Sequence, residues 1–173
     1  MREAFCHEDD YLQIEILPIS NLGYCLSQLQ AIKNFSNSHA NGIGWTEMYL
    51  RDENLPPLAS LKLNVKDLTA VFSKTLIPYD KVFTGYSNFR EEAKRTLAFG
   101  SETTSIIFVG YDANDIVEDI WLDRYLANRN EKELAMNALI DLATLAELLL
   151  VDWDAGIVLE LSDREKIVSY LDL

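Results

Sequence analysis

The chain has 173 residues, 49% apolar and 25% charged, and its 28 acids against 15 bases leave a formal net charge of −13. Length and composition fit one folded domain spanning 1–173, with room for a sizeable core. A field this negative repels nucleic acid and anionic membranes and draws in a basic partner, although acidic surfaces also serve plain solubility.

The first ten residues, Met1 to Asp10, are too acidic and too poor in apolar residues for a signal peptide. No apolar run reaches the roughly 18 residues that a membrane-crossing helix needs. Two cysteines, Cys6 and Cys25, make no disulfide framework, so free thiols in a cytoplasmic protein are expected. Residues 11–17 alternate apolar and polar, with Leu12, Ile14 and Ile16 on one side, and predict a half-buried strand stopped by Pro18. Ser20 or Asn21 can cap a helix over 21–34, striped by Leu22, Leu26, Leu29 and Ile32. The polar run 34–41 and Gly42-Ile43-Gly44 predict a loop, 45–50 a strand, and 54–57, with Pro56 and Pro57, a turn.

Asn64 is the expected N-cap of a helix over 65–75 with Leu68, Val71 and Phe72 on one face, closed by Pro78. Residues 81–87 predict a short strand whose Gly85 suggests a sheet edge or a close backbone approach. Ser87 or Asn88 would cap a helix over 89–99, acidic first and basic later as the helix dipole prefers, ended by Gly100. Residues 104–111 are a β-branched and aromatic run ending near Gly110, as a central strand buried on both faces reads.

An acidic block follows, with Asp112, Asp115, Glu118, Asp119 and Asp123, and a helix over 112–126 is expected with Ile116, Ile120 and Trp121 on its apolar side. From Asp112 onward the chain holds 15 acids and 5 bases, and the remainder holds 13 and 10. Residues 131–145 predict a helix striped by Leu134, Ala138, Leu142 and Leu145; Leu149 continues the stripe, so its boundary with any strand over 149–152 stays open. Asp154-Ala155-Gly156 reads as a turn, 157–161 as a strand, and Asp163 as the cap of a last helix to about Tyr170. With about five helices and five strands interleaved irregularly, the expected fold is a single α+β (mixed α/β) domain with a largely antiparallel sheet.

No catalytic motif stands out. Cys6-His7-Glu8-Asp9-Asp10 has metal-ligand residue types, but neighbours in an extended segment point opposite ways. His7 and His39 lie in polar contexts, and Cys25 falls on or near a helix stripe, which argues against a nucleophile–base pair. Residues 112–123 have the length of a calcium loop, but Ile116 and Val117 occupy positions that need an oxygen ligand and a glycine. Asp152 and Asp154 pair carboxylates, with nothing visible to raise the pKa of a general acid. No phosphate loop is present and no cofactor is expected. What remains is carboxylates beside aromatics: Trp121 inside the acidic block, and Trp153 between Asp152 and Asp154. Helical spacing with Ile116 and Ile120 favours the core for Trp121, while Trp153 suits core and interface equally.

Three stretches, 41–50 (Asn-Gly-Ile-Gly-Trp-Thr-Glu-Met-Tyr-Leu), 81–87 (Lys-Val-Phe-Thr-Gly-Tyr-Ser) and 150–161 (Leu-Val-Asp-Trp-Asp-Ala-Gly-Ile-Val-Leu-Glu-Leu), carry a resemblance over most of the chain. It resembles the contact-dependent growth inhibition immunity proteins that neutralise a zinc-dependent DNase toxin domain. The resemblance implies a small cytoplasmic antidote with no enzymatic activity, which binds a basic toxin nuclease domain partly by letting the toxin add a β-hairpin to its sheet. The acidic surface fits a partner built to hold DNA. The expected partner-binding residues are Asp112, Asp115, Glu118, Asp119, Asp123, Asp152, Trp153 and Asp154, with 81–87 as the candidate edge and Phe83 and Tyr86 lining a pocket. The competing reading is a small hydrolase holding a divalent metal on Asp112, Asp115 and Asp119.

Overall fold

A computed structural model describes residues 1–39, 50, 56–86, 89–123, 125, 126 and 128–173. The strand expected over 45–50, apart from Leu50, the Gly42-Ile43-Gly44 loop, the first half of the 54–57 turn and the caps Ser87 and Asn88 lie outside the described residues.

Among the described residues the strands are β1 (Glu3–His7), β2 (Ile14–Pro18), β3 (Ile77–Pro78), β4 (Lys81–Tyr86), β5 (Phe89–Glu92), β6 (Thr96–Gly100), β7 (Ser105–Tyr111), β8 (Val117–Leu122), β9 (Leu148–Asp152) and β10 (Ile157–Glu160). The helices are α1 (Leu22–His39), α2 (Val65–Phe72), α3 (Arg129–Leu142) and α4 (Arg164–Leu171). Seven strands form one sheet in the order β10-β9-β2-β8-β7-β6-β3, with antiparallel neighbours throughout. Three more form a small sheet, β1-β4-β5, in which β1 runs parallel to β4. The expected α+β architecture with a largely antiparallel sheet is the one observed.

Strand alternation divides the core into faces. Ile107 and Val109 of β7, Ile120 and Leu122 of β8, Ile16 of β2 and Leu150 of β9 pack under α2, α3 and α4. Phe108, Trp121 and Ala98 point the other way and meet Ala4, Cys6 and Val82 of the small sheet. Beside them Leu17, Leu149 and Val151 pack against Cys25, Leu22 and Leu29 of α1. β7 is therefore covered on both faces, as its apolar run requires.

Local capping sets three helix starts, those at Asn64 and Asp163 as expected and that at Asn128 in addition. Asn64 accepts from the Lys66 N–H, Asn128 from the Glu131 N–H, and Asp163 from the Lys166 N–H. Several expectations give way to tertiary structure. β2 is buried on both faces, not half-buried, because α1 covers its second side. α1 runs on to His39 through the polar segment expected as loop, and Leu26 faces solvent while Cys25 is buried.

Residues 89–99 form β5 and β6 in place of a helix: β5 completes a hairpin with β4, Arg95 takes a left-handed φ of 55° in the connection, and β6 pairs with β7. Residues 112–126 hold β8, also in place of a helix. Asp112 Oδ1 accepts from the Asn114 and Ile116 N–H groups, and Asp115, at φ 61°, completes the hairpin turn. Finally, β4 is the middle strand of the small sheet and so cannot be the edge for strand addition. Its glycine marks the alternative expectation, a close backbone approach: Gly85 has a φ of 138°, and a Cβ there would collide with the Phe89 carbonyl oxygen.

Candidate functional site

The two sheets meet along a ridge formed by Cys6 and Trp121. The Trp121 indole N–H donates to Cys6 Sγ at 3.3 Å, and its ring stacks on Phe108 with centroids 5.3 Å apart. Burial pushes the Cys6 thiol up to about 11, against the lowering effect of the Trp121 bond, so it is not a reactive thiolate at neutral pH. A cleft opens on each side of this ridge.

One cleft, of about 400 Å³, is lined by Cys6, Glu8, Tyr11, Val82, Thr84, Ala93, Thr96 and Trp121. Tyr11 meets Trp121 edge-on at 4.9 Å and donates its hydroxyl proton to Asp119 at 2.9 Å. Burial and then the Asp119 charge raise the Tyr11 pKa, so the phenol keeps its proton. Asp119 is itself raised by burial, which the Tyr11 bond opposes.

The other cleft, of about 470 Å³, has Phe5, Phe108 and Trp121 as aromatic walls and Asp9, Asp10 and Asp123 among its lining. Burial raises the Asp123 pKa, and the charges of Asp10 and Glu131 add to it. Asp123 also lines a third cavity, of about 340 Å³, with Asp152, Asp172, Lys132 and Tyr170. β8 and β9 both finish at this end of the large sheet and β2 starts there, which is why residues so distant in sequence gather.

The expected acidic site is thus divided. Asp112 and Asp115 occupy the β7–β8 turn, Glu118 and Asp119 lie along β8, and Asp123 lies past its far end, roughly 20 Å or more of strand away from Asp115. Asp112 is held below the usual carboxylate range by the Ile116 and Asn114 backbone N–H groups it accepts from. Asp112, Asp115 and Asp119 therefore do not converge, and among the described residues no group of three or more His, Cys, Asp or Glu is placed to hold a metal ion. The competing hydrolase reading, which would place a divalent metal on these three carboxylates, draws no support from their placement.

Asp152 is buried, accepting from the Tyr170 hydroxyl at 2.8 Å and the Ala155 N–H at 2.8 Å, while Asp154 is exposed in the turn. Trp153 is 6% exposed and donates its indole N–H to buried Glu15 at 2.6 Å, so it is a core residue and not a surface anchor. Phe83 lies on the outer face of the small sheet, with the Arg90 guanidinium 4.9 Å from its ring centroid and 5.0 Å from that of Phe5. Tyr86 is 47% exposed, edge-on to His7 at 5.3 Å. Neither Phe83 nor Tyr86 is among the residues lining the three cavities described here.

Sequence reasoning weighed Glu8, Asp9 and Asp10 only as metal ligands and Tyr11 only as part of a strand, and named none of them as partner-binding. Their signal was a dense mixture of acids and aromatics beside a strand, and it reads as a site only once β1 and β8 are brought together. No family model matches the chain, and neither a curated protein nor a solved structure matches it.

Proposed function

We propose that this chain is an immunity protein, a cytoplasmic antidote without catalysis of its own that binds and inactivates a basic nuclease toxin domain. The observation that carries the reading is the acidic end of the large sheet. There Asp9, Asp10 and Asp123 line one cavity, and Asp123, Asp152 and Asp172 line the next. A domain built to hold DNA presents Lys and Arg in the geometry of a phosphate backbone, and clustered carboxylates compete for those groups. The net charge of −13 extends the attraction beyond contact distance and speeds encounter.

Strand addition, which the resemblance implies, would use an exposed edge, and β5 supports that role better than β4. All four β5 residues are exposed, and the Ala93 N–H donates to the Val82 carbonyl. Antiparallel alternation then turns the Arg90 and Glu92 backbone groups away from β4.

The experiment is stoichiometric inhibition. The tagged chain is expected to recover one basic domain from producing cells, to stop its DNA cleavage at one-to-one ratio, and to bind it more weakly as salt rises. Changing Asp9, Asp10 and Asp154 together to Asn is expected to weaken binding about tenfold or more, through slower encounter and lost ion pairs. Binding that ignores both salt and this triple change would overturn the acidic surface, and a recovered domain whose activity persists would overturn the antidote.

A further inference from the structure

We propose that the cleft walled by Tyr11, Trp121, Val82 and Ala93 is a socket for one Lys or Arg side chain of a basic protein partner. The argument rests on which hydrogen-bonding positions the cleft has left to offer. The Tyr11 hydroxyl proton is committed to Asp119 at 2.9 Å, so its oxygen presents lone pairs only. The Thr96 hydroxyl donates to the Lys94 carbonyl at 3.4 Å, leaving its oxygen likewise as an acceptor. Glu8 lines the same cleft, and its carboxyl oxygen accepts from the Tyr86 hydroxyl. Among the described residues lining the cleft there is no Lys or Arg.

The interior is apolar: Val82, Ala93, Cys6 and the Trp121 ring. A guest must therefore join a hydrocarbon stem to a head rich in donors and positively charged. Lys and Arg side chains have that form, and the Trp121 and Tyr11 rings add attraction for the cation. The net charge of −13 makes a basic protein the source of the side chain. The inference deepens the proposed function and rests on it only for the identity of the partner.

The test uses the whole chain with n-butylguanidinium and n-pentylammonium as side-chain probes, and n-pentanol and pentanoate as neutral and anionic controls. The readout is the Trp121 indole N–H in ¹H–¹⁵N spectra. Both cations are expected to shift that signal at millimolar concentration, n-pentanol to act at least several-fold more weakly, and pentanoate not at all. Glu8→Gln is expected to weaken cation binding about two- to fivefold. Ala93→Phe, checked for folding by circular dichroism, is expected to abolish it by filling the cleft. Equal effects of n-pentanol and the cations, an unmoved Trp121 signal, or binding that survives Ala93→Phe would each overturn the socket. A chain that inhibits a basic nuclease yet ignores both cations loses the socket and keeps the proposed function; the opposite pair of results keeps the socket and loses the function.

Discussion

The two faces of the large sheet are closed in different ways. On one, α2, α3 and α4 fill the space against the strands, and Phe72, Leu139, Leu142 and Ile167 are fully buried. On the other, α1 and a three-stranded sheet share the cover, and two clefts flank Cys6 and Trp121. Helices lay continuous ridges of side chains on a pleated surface and leave little room. A small sheet has its own twist, meets the large one along a line, and splays away at the margins. The helix face thus opens at its Asp123 end, while the other face opens two clefts where the sheets meet.

The largest expected effect breaks the first face. Leu139→Ala should cost about 2–5 kcal/mol, because the helix layer cannot collapse onto the cavity; urea denaturation measures it, and a cost below that of the next two changes would erase the distinction. On the α1 side, Trp153→Phe removes the donor to Glu15 Oε1, and about 1–3 kcal/mol should be lost in the same assay. In the small sheet, Val82→Ala removes two buried methyl groups and should cost about 1–2 kcal/mol. Native-state hydrogen exchange sharpens this step: amides of β1 and β5 should exchange before those of β7.

The smallest effect has the opposite sign. The folded-state pKa of Asp123 is raised by burial, then by Asp10 and Glu131. Protonation therefore favours the folded state, and the ionised form costs stability at neutral pH. Asp123→Asn keeps an acceptor for the Tyr125 N–H and should raise Tm slightly at pH 7. The gain should shrink as pH falls through that raised pKa, which thermal melts from about pH 8 down to pH 4 would follow. A gain constant with pH would assign the effect to packing.

The sequence was legible wherever a local rule governs. Asn64 and Asp163 cap the helices they were expected to cap, and 104–111 is the buried central strand. It misled where helical spacing and strand pairing competed for the same residues. Glu91, Glu92, Lys94 and Arg95 follow the order that suits a helix dipole, but β4 claims Glu91 and Glu92 as partners and β7 claims the residues from Thr96 on. Asp112 and Asn114 signalled a hairpin turn as strongly as Ile116, Ile120 and Trp121 signalled a helix. The candidate site was read only in part. Asp123 was singled out for its charge, whereas Tyr11 and Glu8 carried no mark of a partner site, since their meaning depends on β1 of the small sheet packing across β8 of the large one.

Composition alone determined that the chain is acidic and rich enough in apolar residues to fold, because charge and burial capacity are sums over residues. Local pattern determined the helix starts over 65–75 and 163–170, the turn at Asp154-Ala155-Gly156 and the apolar core of β7, because caps, turns and buried runs act within a few residues. Only the tertiary structure decided that 89–99 and 112–126 become strands, that Glu15 and Trp153 bond to each other inside the core, and that Asp9, Asp123 and Asp152 gather at one end of the sheet. Each of these depends on a partner far along the chain, and strand pairing outweighs the modest helix preference of any single segment.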